Sequence, residues 1–336
     1  MSEPRAAKDL VQRYFDRLET ASESGVAEVL ALNLSPSASW KAVHPFNELT
    51  GPKQVHESFW GPFRAAWRSV QRRQDVLFAG ENHVGNGVWV VSMGHFMGLF
   101  DRPWLGLPAT GRMAMLRYAE FNRVANRQIV ESGFFLDLVG LMEWVGLRPL
   151  PQATGQHFAY PGPRTHDGIV RIDQDPEETR RTHEVLDRTI DDLDALNRSG
   201  EDRCPPEFLA RCWHEDMIWY GPAGIGASMT IPRYQQQHQY PFREGLQDKR
   251  FNGHVCRVAE GRYAGFFGWP NLTNRAAGGF LGLPASDGPA SMRVVDIYRR
   301  EGDKLMENWV FIDLPHWLKQ QGVDVLGRTA GLGRAP

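Results

Sequence analysis

Cysteine is scarce in this chain of 336 residues: Cys204, Cys212 and Cys256 are the only ones, and all lie in the second half. A structural disulfide in one copy is open to them, but three thiols with no pairing pattern suit a reducing, cytoplasmic location better. Their spacing fits no zinc template and no paired-histidine motif is present, so no metal is expected. No apolar run approaches the length of a membrane span. The N-terminal Met1–Lys8 leads into an amphipathic segment, not the apolar stretch of a signal peptide. The glycosylation-type triplets at Asn33, Asn197 and Asn271 therefore carry no weight. Forty acidic residues nearly balance 38 basic ones. With no basic tract, nucleic acid is not an expected partner. A P-loop and a nucleophile elbow are both missing. Gly221–Gly226 is glycine-rich but lacks the strand–turn–helix context of a dinucleotide site.

What is present is a repeat. Leu105–Ala109 returns as Leu281–Ala285. At the same offset the match runs on without a gap through Arg117/Arg293, Glu120/Asp296, Arg123/Arg299, Glu131/Glu307, Phe135/Phe311, Asp137/Asp313 and Leu138/Leu314. From 105 to 138 there are twelve identities in 34 positions, against about two by chance at average residue frequencies. The period is far longer than that of a solenoid module. It is a domain present twice, and the chain is long enough for two cores.

Each half opens with a helical pattern, Leu10, Val11, Tyr14, Phe15 and Leu18 in one and Val185, Leu186, Ile190, Leu193 and Leu196 in the other. A second helix is predicted from Pro52 to Arg68, with a counterpart beginning near Pro232. Strand chemistry follows at Val88–Val91 and Phe266–Phe267. The stretches 113–124 with 128–138, and 290–300 with 304–314, read as hairpins. Leu141–Leu147 and His316–Val323 read as closing helices. The expected division is a first domain at 1–150, a Pro/Gly-rich linker at 151–177 lying across the surface, a second domain at 178–328 and a frayed tail at 329–336. Helices first, then a mostly antiparallel sheet, argue an α+β fold. Each copy is expected to be a cone, a curved sheet with helices on one face, whose mouth is a natural small-molecule pocket.

At this point the residues resemble a family. Arg293–Arg299, then Gly302–Asp313 with Glu307 and Trp309, then Leu314–Gly322, are similar to the C-terminal half of SnoaL-like proteins. These are the polyketide-cyclase and ester-cyclase branch of the nuclear transport factor 2-like superfamily. The N-terminal parts fit too: Trp40, Leu49–Pro52, then Phe59, Trp60 and Phe63, matched by Trp219, Met229–Pro232 and Tyr240–Phe242. The superfamily holds cyclases, isomerases, dehydratases, epoxide hydrolases and binding domains, and fold does not settle function. Gly133 stands where Trp309 stands in the second copy, Asn126–Arg127 replaces the turn glycine, and an insertion at Asn271–Gly279 is unique to the second half. The two pockets should therefore differ.

The resemblance makes Asp137 and Asp313 the expected catalytic residues, in the place of the family's acid/base aspartate. A carboxyl on an apolar cavity wall has its charged form desolvated, which brings its pKa toward working pH. Phe135 and Phe311, two residues earlier, should share that face. The competing reading is an ion pair with Arg117 or Arg293: a three-residue hairpin loop would put Arg and Asp on one face, a two-residue loop on opposite faces. Glu120 and Asp296 sit mid-strand, where one could be a second pocket carboxyl or both could be exposed. The expected substrate-binding residues are Trp40, His44, His56, Trp60, Arg117, Tyr118, Phe135, Trp219, Tyr240, Arg293 and Trp309, among which Trp60/Tyr240 and Trp40/Trp219 recur. The first domain is favoured as the active one, because Gly133 leaves more room than Trp309. The resemblance implies an internal pseudo-dimer, open to further homo-oligomerisation. It would act without a cofactor on a hydrophobic carbonyl or polyketide-like ligand by cyclisation or isomerisation. The alternative is a binding or interaction module without catalysis.

Overall fold

The computed structural model describes residues 2–332. It contains two tandem α+β domains, each a curved sheet with a cluster of helices. The first sheet has β1 (Leu34–Ala42), β2 (Asn47–Thr50), β3 (Trp67–Glu81), β4 (Val88–Phe100), β5 (Met113–Ala125) and β6 (Gln128–Leu136), in the order β2-β1-β6-β5-β4-β3. The second has β7 (Trp213–Tyr220), β8 (Ala227–Met229), β9 (Leu246–Phe251), β10 (Cys256–Glu260), β11 (Tyr263–Ala276), β12 (Ala290–Glu301) and β13 (Lys304–Ile312). Its order is β10-β11-β12-β13-β7-β8, with β9 also on β11. In both sheets one pair is parallel, β1 with β6 and β7 with β13. The long strand β3 corresponds to two short ones, β9 and β10, which pair with successive parts of β11.

The opening helices form for local reasons. Ser2 caps Glu3–Thr20 by accepting from Arg5 N, Pro4 sits in the first turn, and Val11, Tyr14, Phe15 and Leu18 bury one face. Asp175 caps Pro176–Ser199, which ends on Gly200 at φ 75°. Each second helix contains one wide turn, at His56–Trp60 and Gln235–Gln239. Arg64 then donates to Leu18 O and Ala21 O, and Arg243 to Leu196 O, so each second helix is tied to the end of the first. The tail expected from 329 begins inside a helix, Val325–Leu332, and residues 333–336 lie outside the described residues.

Both hairpin turns hold two residues, Asn126–Arg127 and Gly302–Asp303, but a bulge follows in each, at Arg123/Val124 and Arg299/Arg300. The bulge restores the parity a two-residue loop would have broken. Asp137 N thus meets Arg117 O at 3.1 Å and Asp313 N meets Arg293 O at 3.0 Å, so arginine and aspartate do share a face. That face is the back of each sheet, turned toward the other domain.

Back faces supply the contact between domains. Phe267 of β11 packs among Trp89, Phe121 and Phe135. A Cβ at Gly133 would lie 2.9 Å from the Phe267 ring. The space left by Gly133 is therefore filled by the second domain and adds nothing to a first-domain pocket. A buried ion pair joins Lys8 to Glu260, whose other oxygen accepts from Ala79 N at 2.7 Å. The connecting segment pairs with both sheets: Val170 N donates to Leu77 O at 2.8 Å, and Gln156 and Ala227 exchange two bonds of 2.8 Å.

Candidate active site

Strand parity decides what each cone contains, because alternate residues line one face. In the first cone the inward residues are Tyr118, Glu120, Asn122, Ser132 and Phe134, and the space above them is solid. Trp40 stacks on Phe134 at 5.2 Å, and Phe59, Trp60, Phe63, Phe96 and Trp104 close around them. Glu120 is 1% exposed and paired with Arg72 at 2.7 Å. The guanidinium lies over Phe15, Phe96 and Tyr118 at 3.8, 4.7 and 4.6 Å. Asn122 Nδ2 donates to the second carboxyl oxygen of Glu120 at 3.0 Å. This cone is a core with a neutralised charge in it.

The second cone is open. A cavity of about 200 Å³ lies against Met292, Val294, Asp296 and Tyr298 of β12 and Asn308, Val310 and Ile312 of β13, roofed by Trp219, Tyr234, His238 and Phe242. Asp296 is the repeat partner of Glu120, yet no cation pairs with it among the described residues. The reason is one substitution in β9. Arg72 is paired with Phe96, and Phe251 with Leu272. Positions 96 and 272 are related by the same repeat offset as Glu120 and Asp296, so Phe251 stands where Arg72 would. Asn308 Nδ2 and Tyr298 OH donate to Asp296 Oδ1 at 3.1 and 3.2 Å. Among the described residues Oδ2 has no hydrogen-bond partner, and Asp296, 9% exposed, lines the cavity. Burial drives its pKa up to about 7, and the two hydrogen bonds offset only part of that rise.

Two histidines share the cavity. His254 occupies the break between β9 and β10 and stacks on Phe266 at 3.8 Å. Arg257 Nη2 lies 3.2 Å from His254 Nδ1. A guanidinium only donates, so Nδ1 accepts and the ring proton sits on Nε2. Burial, followed by the charge of Arg257, lowers the His254 pKa to about 3. His238 stacks on Trp219 at 3.9 Å, and burial takes its pKa to about 3 as well. Both rings are neutral at pH 7.

Of the catalytic and substrate-binding residues expected from the sequence, Trp219 alone lines this cavity, beside Asp296, which the sequence offered as a possible second pocket carboxyl. Trp40, Trp60 and Tyr118 are buried in the first cone, where Tyr118 OH bonds Ser92 Oγ at 2.9 Å. The match of Pro62–Arg64 with Pro241–Arg243 pairs Trp60 with Gln239, and Tyr240 instead donates to Cys204 O at 3.0 Å. His56 is half-buried on the outer side of its helix. Phe135 and Trp309 point out of the backs of their sheets. Phe135 packs on Trp269 at 5.9 Å, and Trp309 stacks on Tyr220 at 5.6 Å and donates to Pro161 O at 3.0 Å.

Asp137 and Asp313 do not stand on a cone wall. Each caps the closing helix that follows it, Asp137 through Gly140 N at 2.9 Å and Asp313 through His316 N at 3.2 Å. Each second oxygen crosses to the other domain, Asp137 to Ala223 N and Asp313 to His44 N, both at 2.9 Å. The two crossings are reciprocal, since His44 lies as far beyond Trp40 as Ala223 lies beyond Trp219. Arg293 pairs with Asp313 at 3.1 Å. Arg117 instead donates to Val310 O and Tyr220 O at 3.1 and 3.2 Å.

No protein-family model matches this chain, and no curated relative does. The solved structures it is similar to are SnoaL-like and NTF2-like proteins. One, from Jannaschia sp. CCS1, is named as a proposed SnoaL-like polyketide cyclase. It is 20% identical, covers 44% of this chain and 98% of its own, and has a TM-score of 0.36. TsrD from Streptomyces laurentii is 23% identical over 45% of this chain and 99% of its own, TM-score 0.34. An NTF2-like protein from Burkholderia xenovorans LB400 is 14% identical over 43% and 97%, TM-score 0.32. Each matches a little under half of the chain.

Proposed function

We propose that the second domain is a cofactor-independent acid/base catalyst acting on a compact, hydrophobic carbonyl compound, with Asp296 as the proton carrier. One observation carries the reading: among the described residues Asp296 is a buried carboxyl with no cation partner and one oxygen without a hydrogen-bond partner, it lines a cavity, and its pKa is near 7. Such a group is both a competent base and a competent acid at neutral pH. Tyr298 and Asn308 fix its orientation through Oδ1. Oδ2 removes a proton from the carbon next to the substrate carbonyl, and the electron pair moves onto the carbonyl oxygen. The Nε2–H of neutral His254 donates to that developing charge. Asp296, now protonated, returns the proton to another carbon in an isomerisation, or to the oxygen formed when the enolate closes a ring. The cavity is smaller than about 300 Å³, the lower end of the usual range for ligand sites, so the substrate has one or two rings, smaller than a fused polyketide.

The first domain takes the non-catalytic role that the alternative reading gives to the whole chain, because its carboxyl is neutralised and its cone is full. We read the paired domains as an internal pseudo-dimer that arose by duplication, with one copy retaining the chemistry. The test is exchange of α-protons in deuterated water across a panel of one- and two-ring cyclic ketones. Asp296→Asn is expected to lose exchange by about 10²–10⁴-fold while still binding the ketone. Exchange undiminished in Asp296→Asn, or no faster than with denatured protein, would end the reading.

A further inference from the structure

A second cavity, of about 360 Å³, lies at the domain junction behind the first sheet. It exists because a pair that is closed in one domain is open in the other. In the second domain Arg293 Nη1 sits 3.1 Å from Asp313, and its guanidinium lies over Trp269 at 3.8 Å. In the first, Arg117 turns away to two carbonyls of the second domain. The volume between it, Asp137 and the connecting segment is left free.

Two arginines and two carboxylates line this cavity, but neither arginine is in an ion pair among the described residues. Arg117 is 6% exposed, and no carboxylate among the described residues lies within ion-pair distance of it. Arg148, at the rim, is also without an acidic partner among them. Of the two carboxylates present, Asp137 is engaged by two backbone N–H groups, and Glu143 lies 2.9 Å from His157 Nδ1, with burial raising its pKa. Tyr160 is 7% exposed and lies under the Arg117 guanidinium at 4.6 Å, and its hydroxyl is buried with no partner. A buried cation with no carboxylate in ion-pair reach, beside an unused hydroxyl donor, is costly unless something else satisfies them. The aromatic walls come from Tyr160, Phe158 and Trp144.

We propose that this junction cavity binds a small aromatic carboxylate, its anionic group on Arg117 and Tyr160 with Arg148 at the entrance. The volume falls in the range of ordinary ligand sites. The site is separate from the Asp296 cavity and needs both domains, since Ala223 and the carbonyls that hold Arg117 come from the second.

Benzoate, with benzamide as its uncharged counterpart, tests this by titration calorimetry on the full chain. Benzoate is expected to bind at least about tenfold more tightly than benzamide, the worth of a charge-assisted hydrogen bond. Arg148→Gln and Tyr160→Phe, which leave the Arg117 bridge between domains in place, should each weaken benzoate several-fold. Asp296→Asn should leave its affinity unchanged. Equal binding of benzoate and benzamide, unchanged affinity in both cavity variants, or loss of binding in Asp296→Asn would each overturn the proposal.

Discussion

Arg72 and Glu120 meet at 2.7 Å in the middle of the first cone, under a lid of aromatic rings. Their counterparts in the second cone are Phe251 and Asp296, so the exchange of arginine for phenylalanine leaves the second carboxyl without a cation. Burying the ion pair is tolerable because Arg72 has aromatic faces to lie on and Glu120 has Asn122 as a second donor. Removing the cation raises the carboxyl's pKa and frees an oxygen, which is the state of Asp296.

The pair gives a direct stability test. Arg72→Met leaves Glu120 buried and uncompensated, and is expected to cost about 3–5 kcal/mol. The double variant Arg72→Met/Glu120→Gln removes both charges and should recover most of that loss. Urea denaturation of the two single variants and the double one measures the coupling. A loss of less than about 1 kcal/mol in Arg72→Met, the value of an exposed pair, would show that the first cone admits water.

Asp296 should govern pH dependence in two ways of opposite sense. As a base it must be ionised, so the rate of proton abstraction rises with pH through about 7 and levels off above. Stability moves the other way. The native carboxyl binds its proton up to about 7, against an ordinary aspartate value of 3.8. Between those values the folded state holds more protons than the unfolded one, so Asp296's contribution is fully present below about 3.8 and is lost as pH rises through about 7. The loss is on the order of a few kcal/mol. Denaturation midpoints of wild type and Asp296→Asn across pH 4–8 check this. The variant should gain on wild type as pH rises, and parallel curves would place the native pKa near that of a free aspartate.

The tandem architecture was legible in the sequence because a domain-length repeat and its helix and hairpin patterns are local signals. Which face of a strand meets the cavity was not. Asp137 and Phe135 do share a face, as their spacing implies, and the bulge brings Arg117 onto it, but both faces of β6 are apolar, with Phe134 and Leu136 on one and Phe135 on the other. Periodicity alone cannot tell a cone wall from a domain interface. The bulge after each turn also lies outside what loop length predicts. Gly133 reads as spare room until Phe267, far along the chain, is seen to fill it. A signal for Asp296 was present: an acid in the alternate set Met292, Val294, Tyr298, opposite Asn308, Val310 and Ile312. Its importance depended on position 251, and that correspondence needs the strand register.

The same reciprocity that moves Asp313 out of the catalytic role makes its structural role measurable. Its two oxygens cap the last helix, cross to His44 of the other domain and pair with Arg293, all while fully buried. Burial raises its pKa to about 6, against the pull of Arg293 and the two backbone donors. Asp313→Asn keeps the size and one acceptor but loses the charge. It is expected to cost about 1–3 kcal/mol, through a weakened cap and a half-buried arginine left without its carboxylate. α-Proton exchange per folded molecule should be unchanged, because Asp313 touches neither Asp296 nor its cavity. Thermal denaturation and exchange assays on the same preparation separate the two effects. A fall in exchange at full stability would return Asp313 to the chemistry.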